Sequence, residues 1–181
     1  NMESLENKMN STIIHFEKEL NSLRTSRANP NMLDNILVDA YGSKSPISQL
    51  GNISSPDPNT LTIQVWDKSI IKSVEIAITE SNLGINPQID GQLIRLPIPK
   101  LSEERRKDII KIASEFAENS KVAIRNIRRD FIETQKKEKK DSNLSEDDLK
   151  RSINLIQKTT DENIEKIDKI LNLKKTDILK V

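Results

Sequence analysis

All seven prolines and all four glycines of this chain fall between Pro30 and Pro99, and the residues on either side contain neither. Proline and glycine are the residues that stop helices and open turns. A stretch holding all of them must fold back on itself repeatedly, whereas the flanks are free to run as long helices. The primary division is therefore two helical flanks, 1–29 and 100–181, around an inserted region, 30–99.

The flanks carry helical periodicity. Met2, Leu5, Met9, Ile13, Phe16, Leu20 and Leu23 follow steps of three and four, which places them on one face of a helix. That helix is expected to reach about Asn29, where Pro30 stops it. Ser102 with Glu103 and Glu104 supplies a hydroxyl cap and first-turn acids for a second helix running to about Lys140. Its seam is Ile109, Ala113, Phe116, Ser120, Ala123 or Ile124, Ile127 and Phe131. Asp141, Ser142 and Asn143 are expected to break it. Ser145 then opens a third helix, with Leu149, Ile153, Ile156, Thr160, Ile164, Ile167, Leu171 and Ile178 in line. Its acids Glu146, Asp147 and Asp148 read as helix-start charge rather than as a metal site. Hydrophobic residues make up only 34% of the chain and five residues are aromatic, so these stripes are narrow. Three narrow stripes bury one another most economically in a three-helix bundle.

The inserted region reads as a small β/α/β domain. Asn35 to Tyr41 predicts a strand, 41–44 a turn, and Thr60 to Trp66 an alternating, half-buried strand. Asp67 can cap a helix to about Ser81, with Ile70, Ile71, Val74, Ala77 and Ile78 inward and an end at Leu83-Gly84. Residues 85–89 and 92–96 flank an Asp90-Gly91 turn as a hairpin. Trp66 is either core or a docking edge, with core the expectation. The fold class is thus α+β, with two domains joined through short connections at Ala28, Asn29, Pro30 and at Pro97, Pro99, Lys100, the expected hinge.

Several chemistries lack their parts. Cysteine is absent, so disulfides and thiolate metal sites are excluded, and the single histidine, His15, cannot build a zinc site. No phosphate-binding glycine loop, dinucleotide turn or H-E-x-x-H helix is present. We expect no enzyme, no cofactor and no metal. The opening NMESLENKMN has no signal-peptide core or Arg-rich transit pattern, and no apolar run approaches the roughly 20 residues needed to cross a bilayer. A soluble protein is expected, cytoplasmic in a bacterium or interior to a plastid or mitochondrion if it is a processed form.

Net charge is only +1, but it is unevenly placed. Residues 105–140 carry twelve Lys or Arg against six Asp or Glu, and residues 30–104 carry five against nine. At about 100° per residue, Lys121, Arg125, Arg128, Arg129, Lys136, Lys139 and Lys140 share one sector of about 120° on the second helix, away from its apolar seam. Such a stripe is either a solvated face or a rod for a phosphate backbone, which arginine can bond in pairs with release of counterions.

Motif by motif, the chain resembles the ribosome-recycling factors along nearly its whole length. The first helix ends in LRTSRANPNMLDNI; the insertion carries VDAYGSKSPISQL, TLTIQVWDKS and LGINP. The return reads IRLPIPKLSEERRKDIIKIA, followed by VAIRNIRRD and LSEDDLKRS. The resemblance implies an L-shaped molecule, a three-helix bundle with a hinged β/α/β domain. A closed three-helix bundle predicts a monomer, and the resemblance implies a factor that enters a bacterial-type ribosome after termination, lies along large-subunit ribosomal RNA, and acts with elongation factor G and GTP to separate the subunits and release messenger and deacylated transfer RNA. Carried over by motif, Arg24, Arg27, Arg125, Arg128 and Arg129 would contact that RNA, Arg128 most critically, with Lys121 beside them on the stripe. The family usually has glycine where this chain has Ser26. Two other classes make different demands. A coiled-coil adaptor would offer an open apolar seam to partner helices, and an RNA-processing enzyme would need acids or histidines clustered beside the basic stripe.

Overall fold

The structure, a computed structural model, describes residues 1–142 and 144–180. In order, its elements are α1 (Met2–Asn21), β1 (Leu37–Ala40), β2 (Ser43–Pro46), β3 (Gly51–Asp57), β4 (Thr60–Val65), α2 (Ile71–Thr79), β5 (Gln88–Asp90), β6 (Leu93–Pro97), α3 (Glu103–Ser142) and α4 (Glu146–Leu179). Single 3-10 turns occupy Pro30–Leu33, Ile47–Gln49 and Lys68–Ile70. The fold is α+β, and the chain forms two compact units: Asn1–Leu20 with Lys111–Thr176, and Asn21–Ile110 with Asp177–Val181.

The first unit is a bundle of α1 and most of α3 and α4. Leu5, Met9, Ile13, Phe16 and Leu20 of α1 are buried, as their spacing predicts. Each such side chain contributes about 1.5–3 kcal/mol on burial, which holds a 20-residue helix that alone would be marginal in water. In the part of α3 that belongs to this unit the buried residues are Ala113, Ala117, Ser120 and Ile124, whereas Phe116, Ile127 and Phe131 are half-buried. Small side chains along the centre let the helices approach closely, and the large ones pack at the flanks. Lys8 of α1 lies 5.5 Å from the Phe131 ring centroid there. On α4 the seam includes buried Thr159, Thr160 and Asn163. Thr160 Oγ1 donates to the Ile156 carbonyl and Asn163 Nδ2 to the Thr159 carbonyl, each at 2.8 Å, so these polar groups are satisfied within their own helix. Helix α3 runs to Ser142, slightly past the expected end; Asn143 lies outside the described residues. Ser145 Oγ accepts from the Asp148 amide and caps α4 as expected.

The second unit has a core that includes Met32, Leu33, Val38, Ile47, Leu61, Ile63, Val65, Val74, Ile78, Ile94 and Leu96. Its main sheet is antiparallel in the order β3-β4-β6-β5, with β1 and β2 as a separate hairpin. That hairpin turns through Tyr41 and Gly42, both at positive φ (55° and 79°), the pairing that suits strand twist. Asp67 Oδ1 accepts from the Ser69 amide at 2.9 Å, so the predicted cap is present and leads through a 3-10 turn into α2.

Three sequence expectations change. Helix α1 ends at Asn21 rather than near Asn29. No breaker occupies 22–29; tertiary bonds decide instead, because Arg24 reaches two distant carbonyls and Thr25 Oγ1 accepts from the Arg27 amide at 3.2 Å, forming a local turn that competes with helix. Strands β2 and β3 have no counterpart in the sequence reading. β3 is GNISSPD, mostly exposed and lacking apolar alternation, and it is an edge strand, where Pro56 is tolerated beside a register shift. Trp66 is 56% exposed rather than core, because it continues the alternation of β4 onto the face opposite Val65.

Gly51 faces Val65 across β3 and β4, and a Cβ there would lie 2.5 Å from the Gln64 carbonyl oxygen. Gly51→Ala is therefore expected to destabilise the protein by about 1–3 kcal/mol, read as a lower urea midpoint; an unchanged midpoint would show that the strands separate without cost.

Candidate nucleic-acid interface

The basic stripe divides into two flanks. Relative to Arg125, at about 100° per residue, Lys121, Arg128 and Lys139 lie about 40–60° to one side, and Arg129, Lys136 and Lys140 about 20–60° to the other. The first flank faces α4, which runs antiparallel, and each member has a partner there. Lys121 Nζ is 2.5 Å from Asp168 Oδ1, Arg128 Nε donates to Gln157 Oε1 at 2.6 Å, and Lys139 Nζ is 3.3 Å from Glu146 Oε1. On the second flank Arg129, Lys136 and Lys140 are exposed and have no ion pair among the described residues. Arg125 reaches only Glu118 on its own helix, at 3.3 Å and in solvent, a pairing that phosphate can readily displace. The charge free to meet a polyanion is thus Arg125, Arg129, Lys136 and Lys140, with Arg128 half-buried at the boundary and Lys121 neutralised.

Arg24 and Arg27 belong to the second unit and differ sharply. Arg24 is 8% exposed; Nη1 donates to the Leu83 carbonyl at 2.9 Å and Nη2 to the Pro99 carbonyl, while Nε is buried without a partner. Burial first, and then the nearby Arg105 charge, hold its pKa below the ordinary value. Its fork is committed to backbone. Arg27 is exposed and shares a groove with Lys100 and Lys180, three cations against one acid, Asp177, and Ser26 Oγ is buried in that region with no partner among the described residues.

The connecting residues are well held. The Ala28 amide donates to the Pro58 carbonyl and the Ile98 amide to the Asn59 carbonyl, both at 2.7 Å. Asn29 Oδ1 accepts from the Asn31 amide at 3.0 Å, capping the turn that begins at Pro30. Pro97 ends β6, Pro99 takes Arg24, and Lys100 is exposed.

A second exposed feature is aromatic. Tyr41, at 70% exposure, donates its hydroxyl to Asp67 Oδ2. That bond first, then those from the Ser69 amide and hydroxyl, holds the Asp67 carboxyl below its ordinary range, and the same bond raises the Tyr41 hydroxyl. His15 is exposed 3.3 Å from Glu19, with nothing about it to suggest chemistry. Among the described residues no group of three His, Asp or Glu could hold a metal, and no helix is long and apolar enough to cross a membrane.

The family model described as ribosome recycling factor matches residues 16–179. The chain belongs to the ribosome recycling factor family. It is 51% identical over 180 residues to the ribosome-recycling factor of Brevibacillus brevis, covering 99% of this chain and 97% of that one. The Syntrophomonas wolfei protein of the same name is 52% identical over 176 residues, covering 97% and 95%. A solution structure of the ribosome recycling factor superposes with a TM-score of 0.73 at 37% identity, covering 99% of this chain and 95% of that one. The Thermus thermophilus factor, placed with Escherichia coli elongation factor G on the E. coli post-termination complex, gives 0.68 at 41% identity, covering 99% and 97%.

Within this member of the family, the residues that sequence reasoning missed lie on α4. Glu146, Gln157 and Asp168 recur every eleven residues, close to three helical turns, so all three return to one face. That spacing was visible, but nothing in a single helix says that its acids lie opposite another helix's cations.

Two outcomes follow. Arg24→Ala should lower unfolding free energy by on the order of 3 kcal/mol, since two carbonyls lose a charged donor, and Arg24→Lys should restore only part because an ammonium cannot reproduce the fork; chemical denaturation checks both. The lowered Asp67 carboxyl stabilises the fold above its ordinary value of 3.8, and that stabilisation is lost as pH falls through the lower folded value. A carboxyl NMR titration should therefore place Asp67 below 3.8, and in Tyr41→Phe the midpoint should move back up.

Proposed function

We propose that this protein recycles ribosomes: it binds the post-termination ribosome and, with elongation factor G and GTP, promotes separation of the subunits and release of messenger and deacylated transfer RNA. The observation that carries this reading is the flank of α3 bearing Arg125, Arg129, Lys136 and Lys140, set on a 40-residue helix within a family of ribosome-recycling factors. A rigid helix of about 60 Å, at about 1.5 Å per residue, keeps its cations in fixed register along a phosphate backbone. The related factor seen with elongation factor G on a post-termination complex supports the same reading. The bundle seams of α1, α3 and α4 meet within one unit, which disfavours an adaptor that lends an open seam to partner helices.

In this reading Arg125, Arg128 and Arg129 contact large-subunit ribosomal RNA, and Arg27, with Lys100 and Lys180 beside it, forms a second contact. Lys121 contributes through the bundle. Arg24 supports the surface through the backbone that it holds. The helical bundle and the β/α/β domain act as two bodies; because Ala28–Pro30 and Pro97–Lys100 are held within the second unit, bending between the bodies falls where the chain passes from one unit to the other, beside Asn21, Ile110 and Thr176. The energy for splitting comes from the elongation factor. The protein works as a monomer in the bacterial cytoplasm.

Light scattering of bacterial post-termination ribosomes mixed with the protein, elongation factor G and GTP tests this directly. A fall in scattering is expected only when all three are present; no fall with a matched elongation factor would overturn the proposal. Arg125→Ala and Arg129→Ala should each weaken ribosome binding and reduce the log–log salt slope by about 1, with little change in stability.

A further inference from the structure

We infer that Gln157 and Asp161 of α4 are positioning residues that aim Arg128 at RNA, an inference that rests on the RNA-facing role proposed for Arg128. Of the three cross-helix pairs that tie the first flank of the stripe to α4, the outer two end in carboxylates, Asp168 and Glu146. The central one ends in a neutral amide. Arg128 Nε donates to Gln157 Oε1 at 2.6 Å, and Gln157 Nε2 donates to Asp161 Oδ1 at 2.8 Å.

The chemistry of the three groups gives this chain a direction. Guanidinium only donates and carboxylate only accepts, so the amide between them must turn its oxygen to Arg128 and its nitrogen to Asp161. The carboxylate thereby fixes the amide, and the amide fixes the guanidinium. A carboxylate in direct contact would orient Arg128 equally well but would neutralise it and compete with phosphate for its fork. The intervening amide keeps that charge one side chain away. The Nη1 and Nη2 groups of Arg128 make no protein hydrogen bond among the described residues, so a planar pair of donors is left for a phosphate. Arginine on an open helix face has many rotamers to lose on binding; here the loss is already incurred in the free protein, which is the advantage of preorganisation.

The test is binding of the full chain to isolated bacterial large ribosomal subunits across a salt series. Gln157→Met should weaken binding by about fivefold with an unchanged salt slope, because Arg128 keeps its charge and loses only its aim. Gln157→Glu should weaken binding and also lower the slope, as loss of a cation does. Asp161→Asn should have a smaller effect of the first kind, since an asparagine can accept or donate and no longer fixes the amide; it also serves as the readout if Gln157→Met disturbs folding. In an Arg128→Ala background none of these changes should matter further. If Arg128→Ala weakens binding while Gln157→Met and Asp161→Asn match the unaltered protein, the positioning role is overturned and the RNA face stands. If Arg128→Ala itself binds normally, both are overturned.

Discussion

Arg24 grips two stretches of backbone that are far from it in sequence, the loop after α2 at Leu83 and the segment entering α3 at Pro99. The chain leaves α1 at Asn21 and does not enter α3 until Glu103, and bringing the ends of so long an excursion together costs conformational entropy. Charge-assisted bonds to buried carbonyls offset that cost where it arises. Arg105 adds a neighbouring bond to the Asn82 carbonyl at 2.9 Å, so two guanidiniums hold adjacent peptide units. The lowered pKa of Arg24 reflects its burial first and the nearby Arg105 charge second, and neutral carbonyls receive both guanidiniums.

The stripe on α3 shows how one sequence feature can serve two ends. Helical geometry places its cations in one sector, but the sector is wider than the surface α3 presents on one side of α4. Those nearest α4 lock the two helices in antiparallel register, and the rest face outward. In the same bundle Asn163 is buried, bonded to the Thr159 carbonyl and 3.6 Å from Met9 Sδ of α1. A polar group at such a place favours one alignment of helices over its slipped alternatives, at some cost in stability. Charged pairs outside and an amide inside thus define the same register.

The long elements were legible because periodicity is a local signal. The seam of α1, the Ser102 and Ser145 starts, the Asp67 cap and the strand at 60–65 all follow from neighbouring residues. What was not legible depends on residues distant in sequence. The early end of α1 is decided by Leu83 and Pro99, the exposure of Trp66 by which face of β4 the core selects, and β3 by pairing with β4. The same holds for the site. Arg125 and Arg129 can be read from a helical wheel, but the burial of Arg24 and the partners of Lys121, Arg128 and Lys139 belong to other segments. Charge at a position was predictable; whether that charge was free was not.

Strand β3 leaves one border of the main sheet without a neighbouring strand. Unpaired backbone at a sheet border invites strands from other molecules, the usual route to aggregation. Here Pro56 lacks an amide hydrogen, the register shift between Ser54 and Asp57 interrupts the ladder, and Ser55 turns its hydroxyl back to the Asp57 carbonyl at 2.9 Å. The residues that hid this strand from sequence reading therefore make it a poor template. Copies can crowd this border without adding a strand to it, and a partner that approaches it meets side chains rather than a backbone ladder to extend.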